Sequence, residues 1–455
     1  MRRFTNALQA KPQNLSFGSK LLFVAMLIFG YADVLSGASR YVFSAVGAPW
    51  ANYIPAVLLC AASLAYMAIK SVRDGSAIFT TALVLCVVSV LYSIAVGRTA
   101  MTACFAFYTW TAFFAGLVMA ENGLAQRAGK HVLIFWLLAV TGVLINTQVH
   151  FPWSGESYSI LGVQVETARN WDSFGTDRLP GFSRASFAAA NQILICLCIL
   201  ISVARSKVVK ALVWLVSLIA IGLTTSKTPL IAALLVPLLV YILALVQKID
   251  YRGGALQSFY FASSMVMLTA SVIFLPLTIT IIGIGDTYFD LPFVGLVRLD
   301  SLFDRVRSMW PDAFNLINSD LNHGLMFFFG RGVGGIGAGQ TIDEMYRYNT
   351  ADNMFVFLFV TFGVSSLVFF GIFLSGWWRK LGHDPIQARV YYALAVAVLI
   401  LGTLTSVTES NFPAFAIGMI AAQALFSRKA VSLRAQNGPT LHPRRLTGVQ
   451  WRGRS

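Results

Sequence analysis

Charge is scarce in this chain. Of its 455 residues only 12% are Asp, Glu, Lys or Arg, while 57% are hydrophobic, and the mean hydropathy is +0.71. Those values exclude an ordinary soluble domain. Acid is scarcer than base: 19 Asp and Glu stand against 34 Lys and Arg, a formal net charge of +15. In a soluble protein that excess would suggest nucleic acid. Here most of it lies in short loops and two tails around long apolar runs, where membrane orientation and anionic lipid account for it, so no nucleic-acid partner is expected. Cysteine is also sparse. Cys60, Cys86, Cys104, Cys196 and Cys198 all fall inside apolar runs, which excludes a disulfide framework and a zinc site. The centres of the runs carry almost no ionisable residue, Asp33 being the nearest exception. Ion-coupled transporters place protonatable groups near the midplane, so this lack weighs against them. No cleavable signal peptide is expected, because the first apolar run feeds directly into further ones.

What the chain has is apolar runs of membrane-spanning length. Twelve are expected to be helices: 21–39, 53–70, 77–97, 100–120, 131–149, 185–204, 209–225, 228–247, 257–283, 353–376, 388–407 and 412–427. The fold class is therefore an all-α polytopic membrane protein of about 12 transmembrane helices. Threaded through a bilayer, one set of connections holds 23 Lys and Arg against 4 Asp and Glu, and the other 11 against 15. The first set is cytoplasmic by the positive-inside rule, which puts both termini there. Two outer connections are long, 150–184 and 284–352, the second between helices 9 and 10. The chain divides into 1–283, 284–352, 353–427 and a basic tail 428–455 that is expected to be irregular. Within the second loop, Leu296 to Ile317 has helical periodicity, with Leu296, Leu299, Phe303, Val306, Met309, Trp310 and Phe314 near one face. Such a helix would lie along the membrane surface.

Several basic residues break the sorting by lying on the outer side. In Thr224-Thr225-Ser226-Lys227-Thr228-Pro229, Ser226 can cap the following helix and Pro229 suits its first turn. Lys227 either snorkels or holds a phosphate at that helix N-terminus. In Asp177-Arg178-Leu179-Pro180-Gly181-Phe182-Ser183-Arg184, the arginines offer bidentate forks for phosphate oxygens, or else pair with Asp172 or Asp177. The run Gly330-Arg331-Gly332-Val333-Gly334-Gly335-Ile336-Gly337-Ala338-Gly339 is either a phosphate cradle or a turn; it lacks the ending of a P-loop. Asp352, in Ala351-Asp352-Asn353-Met354, is either the N-cap of the next span or a carboxylate that takes a proton from an attacking hydroxyl.

Together and in this order, the four elements resemble the superfamily of O-antigen ligases and Wzy-type polysaccharide polymerases, over about residues 170 to 375. The matching residues are Arg178 and Gly181, Ser226 and Lys227, Arg305 or Arg307 with Trp310, Gly332 and Gly334, and Asp352 with Asn353. The resemblance implies a GT-C-like bundle with a large periplasmic loop in the bacterial inner membrane. It implies a donor and an acceptor that are undecaprenyl-diphosphate-linked oligosaccharides, and a partner that sets chain length. No cofactor and no metal are implied. Asp352, Arg305 and Arg307 would be catalytic. Arg178, Arg184, Ser226 and Lys227 would hold the diphosphate, and Gly181, Gly332, Gly334, Asn353 and Trp310 would shape the loops. Ligases of the family carry His-Asn where this chain has Asp352-Asn353, and neither His150 nor His323 replaces that histidine, which favours the polymerase branch. The rivals are the ligase that moves glycan onto lipid A core and a flippase for lipid-linked glycan.

Overall fold

The computed structural model describes residues 17–122, 128–160, 163–169, 172–173, 176–250, 254–282, 288–291, 295–298, 300–318, 323–378 and 385–436. Every one of the twelve apolar runs contains helix. The first is α1 (Phe17–Val34) followed by α2 (Ser36–Ala45), and the next are α3 (Ile54–Asp74) and α4 (Ala77–Ala95). Then come α5 (Ala100–Thr109), α6 (Thr111–Glu121), α7 (Gly129–Asn146), α8 (Ser186–Val203), α9 (Lys207–Leu223), α10 (Lys227–Ile249) and α11 (Ala255–Ile282). Among the described residues, seven helices are long and apolar enough to cross a membrane, or up to nine if each bent pair counts as one span. The bent pairs are α1 with α2, at 87°, and α5 with α6, at 44°. The protein is thus an all-α polytopic membrane protein.

Two helices form its centre. Along α8 almost every residue from Ala189 to Ser202 is buried, including both Cys196 and Cys198. The helix α18 (Pro385–Gly402) is buried from Tyr392 through Leu401. Both are apolar all round, and such helices bury themselves inside a bundle rather than facing it with one stripe. Helix α10 packs against both.

The last helix, α19 (Asn411–Gln436), packs against α6 through glycine. A Cβ on Gly116 would lie 2.1 Å from the Phe415 carbonyl oxygen, and one on Gly418 would lie 2.0 Å from that of Phe113. Small residues let two backbones touch, which is how apolar helices gain contact energy where lipid offers the same hydrophobicity as protein. Helix α19 also continues into the basic tail expected to be irregular; residues 437–455 lie outside the described residues.

The long second loop differs from the single surface helix that its periodicity predicts. Gly295–Arg298 is a strand, β2, paired antiparallel with β1 (Tyr288–Leu291). The helical part is then broken into α12 (Asp300–Asp304), a π-turn over Arg305–Met309, and α13 (Trp310–Asn318). Leu299 lies outside the described residues. Val306, Trp310, Ala313, Leu316 and Ile317 form the buried stripe, and it packs on α16 (Met354–Phe362) instead of lying free along a surface. After α14 (His323–Phe329) and the glycine segment come α15 (Gln340–Asp343), α16 and α17 (Ser366–Trp378).

Candidate active site

The loop before α8 is held by backbone geometry before any charge is considered. Gly181 has φ 62°, and a Cβ there would sit 2.6 Å from the Val143 nitrogen of α7. Its N–H donates to Asn146 Oδ1 at 3.1 Å. The next residues fill the sharp break between α1 and α2: Gly37 N–H donates to the Phe182 carbonyl at 2.9 Å, and Arg184 N–H to Ser36 Oγ at 2.9 Å. Ser183 Oγ donates to Gln192 Oε1 at 2.6 Å, and Gln192 Nε2 donates to Asp33 Oδ2 at 2.8 Å. Asn411 Nδ2 completes the chain to Asp33 Oδ1 at 2.6 Å. Asp33 is therefore the hub that joins α1, α8 and α19.

This scaffold gathers arginines. Arg184 immediately precedes α8; Arg169 N–H donates to the Arg184 carbonyl at 2.8 Å. Arg40, on α2, donates from Nη1 to Tyr158 Oη at 2.5 Å. Burial, with Arg40 and Arg169 nearby, pushes Arg184 down to about 10. Arg184 Nε is enclosed with no hydrogen-bond partner. Glu166 Oε2 lies 4.0 Å from Arg169 Nε. Concentrated, partly desolvated positive charge at a helix N-terminus is an environment that favours an anion.

A second set faces it. Asp352 pairs with Arg305: Nη2 donates to Oδ2 at 2.8 Å. Thr350 Oγ1 donates to the other oxygen at 2.9 Å. Arg305 also donates from Nη1 to the Ser301 carbonyl at 2.6 Å. It stands at the start of the π-turn, an element that recurs at functional sites because it re-aims one side chain. Asp352 is not the N-cap of α16. That cap is Asn353, whose side chain accepts from Val356 N–H at 2.9 Å and donates to the carbonyls of Val272 and Thr403. Asp352 is instead held in the left-handed region, at φ 40°, next to Ala351 at φ 60°. Asn349 clamps the pair, accepting from Ala351 N–H at 2.7 Å and donating to the Met309 carbonyl at 2.7 Å. Among the described residues, Thr225, Ala351 and Asp352 are the non-glycine residues at positive φ. Backbone strain of this kind costs about 1–3 kcal/mol per residue and concentrates at functional sites.

Two further residues lie outside the motifs. Burial raises the Tyr348 phenol, and Glu409, Arg169, Asp352 and Arg184 are all within electrostatic reach of it. Glu409 closes a 3-10 turn, Val407–Glu409, between α18 and α19. Its Oε1 accepts from Ala338 N–H at 2.7 Å. Burial pushes its carboxyl up to about 7, with Ala338 N–H opposing the rise and Asp352 adding to it. Neither residue lies in a recognisable motif. The signal available in the sequence was a lone acid in the short connection between two long apolar runs.

The remaining expected residues separate. Arg307 is exposed and stacks on Phe303, with 4.7 Å to the ring centroid, so it does not share the role of Arg305. Arg178 is half-buried and its Nε is enclosed without a partner. Lys227 begins α10 and is exposed. Ser226 occupies the N-cap position, but its hydroxyl makes no cap bond and turns to the Thr224 carbonyl at 3.5 Å. The strained Thr225 before it, at φ 54°, accounts for that orientation. Trp310 is fully buried beneath the π-turn.

The glycine segment is packed rather than open to a phosphate. Arg331 N–H donates to the Val360 carbonyl, Gly332 N–H to that of Thr361, and Gly337 N–H to that of Asn349. A Cβ on Gly332 would meet Ser93, and one on Gly334 would meet Thr102. With those amides spent on protein, the segment braces α4, α5 and α16. Gly337 has the closest link to the site, because a Cβ there would sit 2.4 Å from Glu409 Oε1.

No protein-family profile and no curated protein matches this chain.

Proposed function

We propose that this protein is a membrane glycosyltransferase that joins undecaprenyl-diphosphate-linked oligosaccharide repeat units, a Wzy-type polymerase of exopolysaccharide or O-antigen. In this reading all twelve apolar helices cross the bacterial inner membrane, both termini are cytoplasmic, and the site opens to the periplasm. The observation that carries the reading is the gathering of both signs of charge: Arg40, Arg169 and Arg184 near one another, and the Asp352–Arg305 pair and Glu409 within electrostatic reach of Tyr348, as are Arg169 and Arg184.

The chemistry needs both signs. A hydroxyl of the acceptor attacks the anomeric carbon of the donor and loses its proton, while the bond from that carbon to the lipid diphosphate breaks. Negative charge grows on the leaving diphosphate, and preorganised guanidinium groups stabilise it most where water is excluded. In this reading Arg184, Arg40 and Arg169 take that task, with Arg305, Arg178 and Lys227 as further cations from other connections. The apolar surface of the helices suits the polyprenyl tails.

The deciding experiment supplies purified protein with lipid-linked repeat units alone. A ladder of lengthening products supports the polymerase. Transfer only after lipid A core is added would make the protein a ligase. Movement of glycan across vesicles with no covalent product would make it a flippase and end the glycosyltransferase reading.

A further inference from the structure

Resting on the glycosyl-transfer reading, we propose that Glu409 is the catalytic residue that accepts the proton of the acceptor hydroxyl, and that Asp352 is a positioning residue for Arg305. The two carboxylates differ in what their oxygens do. Asp352 has both occupied, one by the Arg305 guanidinium and one by the Thr350 hydroxyl. With both oxygens engaged, Asp352 is suited to hold the Arg305 guanidinium in place. Glu409 is half-buried and anchored through a single oxygen, by Ala338 N–H at 2.7 Å. No hydrogen bond among the described residues is made to its Oε2.

The surroundings of Glu409 are built to hold a carboxylate in one place. Gly337, at φ 76°, lets the glycine segment approach where a side chain would collide with the carboxyl group. The turn that carries Glu409 leads into Asn411, which is tied through Asp33 and Gln192 to Ser183, next to Arg184. Acid and arginine cluster are thus referenced to one polar network. The titratable and charged groups facing Glu409 are the Asp352 carboxylate and the Tyr348 phenol, with Ala338 N–H from the glycine segment. Burial and the like charge of Asp352 raise its proton affinity to about 7. A base whose proton affinity lies near the working pH is ionised often enough to act and basic enough to take the proton.

The step balances without a co-reactant. The acceptor oxygen forms the new bond to the anomeric carbon as its proton passes to Glu409. The anomeric carbon–oxygen bond breaks with its electron pair, and lipid diphosphate leaves as the anion held by the arginines. Glu409 returns its proton to water before the next turn.

The test uses full-length protein in nanodiscs, lipid-linked repeat units extracted from cells lacking the protein, and undecaprenyl diphosphate as the binding probe. For Glu409→Gln, which keeps the acceptor for Ala338 N–H, turnover is expected to fall about 100-fold or more, the scale of general-base catalysis. Binding of undecaprenyl diphosphate is expected to stay within about two-fold, because the group removed acts only on a proton. In Glu409→Ala, sodium formate should restore part of the turnover, whereas a merely structural acid would not be rescued. A Glu409→Gln rate above about a tenth of wild type would overturn the assignment, as would a Glu409→Ala variant that folds but ignores formate. If wild-type protein makes no glycosidic product at any pH, the transfer reading itself fails.

Discussion

Glu344→Gln is expected to destabilise the fold, because it removes the acid that two buried arginines share. Glu344 follows α15 and bonds two arginines: Arg98 Nη1 lies 2.6 Å from Oε1 and Arg331 Nη2 lies 3.0 Å from Oε2. The side chain of Arg331 is 0% exposed, that of Arg98 7%, and that of Glu344 14%. Burial alone would raise the Glu344 carboxyl, but the two guanidinium groups hold it below its ordinary value. Removing one member of such a set leaves buried charge uncompensated, which costs about 3–5 kcal/mol. The slight exposure of Glu344, and the further hydrogen bond from Arg331 to the Gly335 carbonyl, place the expected loss near the lower end, about 3 kcal/mol. For a chain of this length that corresponds to a fall in Tm of about 3 °C. Heating purified protein and following the monodisperse fraction by fluorescence-detected size exclusion reads it. The sign of the pH dependence follows from the depressed folded value. The stabilisation is present above the ordinary value of 4.5 and is lost as pH falls through the lower folded value. The gap between wild type and variant should therefore close on acidification. A Tm within about 1 °C of wild type at neutral pH, or a gap that persists unchanged into strong acid, would refute the reasoning.

Gly418→Leu should force α6 and α19 apart, because even a Cβ there meets the Phe113 carbonyl oxygen at 2.0 Å; loss of monodisperse protein in detergent is the expected result, and normal yield and Tm would count against the packing. Asn353→Ala removes the cap of α16 and two bonds that tie it to Val272 and Thr403. Each such term is worth about 1 kcal/mol, so a combined loss of about 2–3 kcal/mol is expected in thermal unfolding. Arg184→Ala should weaken binding of undecaprenyl diphosphate about 10-fold or more, since a charge-assisted bond contributes about 1.5–3 kcal/mol; titration in nanodiscs measures it. Arg307→Ala, which removes a cation stacked on Phe303 at the surface, should leave that affinity within about two-fold of wild type.

The site was partly legible. Arg305 and Asp352 lie in separate motifs and meet as an ion pair, and Gly181 sits where only a residue without a side chain fits. Arg307 could not be told from Arg305 in the sequence, because an arginine ahead of Trp310 fits the motif at either position. The π-turn separates them, turning one to Asp352 and leaving the other on Phe303. The N-cap shifted by one residue, from Asp352 to Asn353, for a similar reason: both are good caps, and the positive φ at Ala351 and Asp352 decides which side chain reaches the helix. The glycine run suggested a cradle, but its hydrogen-bonding partners lie in α16 and the loop before it, and no local pattern reveals them.

Hydrophobic runs separated by basic loops were enough to determine an all-helical membrane protein, because burying a helix in lipid depends on the length and polarity of each segment by itself. Convergence is a different matter. Arg40 lies far in sequence from Arg169 and Arg184, which share one connection, and Glu409 lies far beyond all three. Electrostatic coupling depends on distance in space, which the sharp break between α1 and α2, the strap at Gly181–Arg184 and the turn before α19 establish together. Only the tertiary structure could bring Arg40, Arg169 and Arg184 near one another, some of them unassigned in the sequence, and set an acid that no motif announced within reach of Asp352.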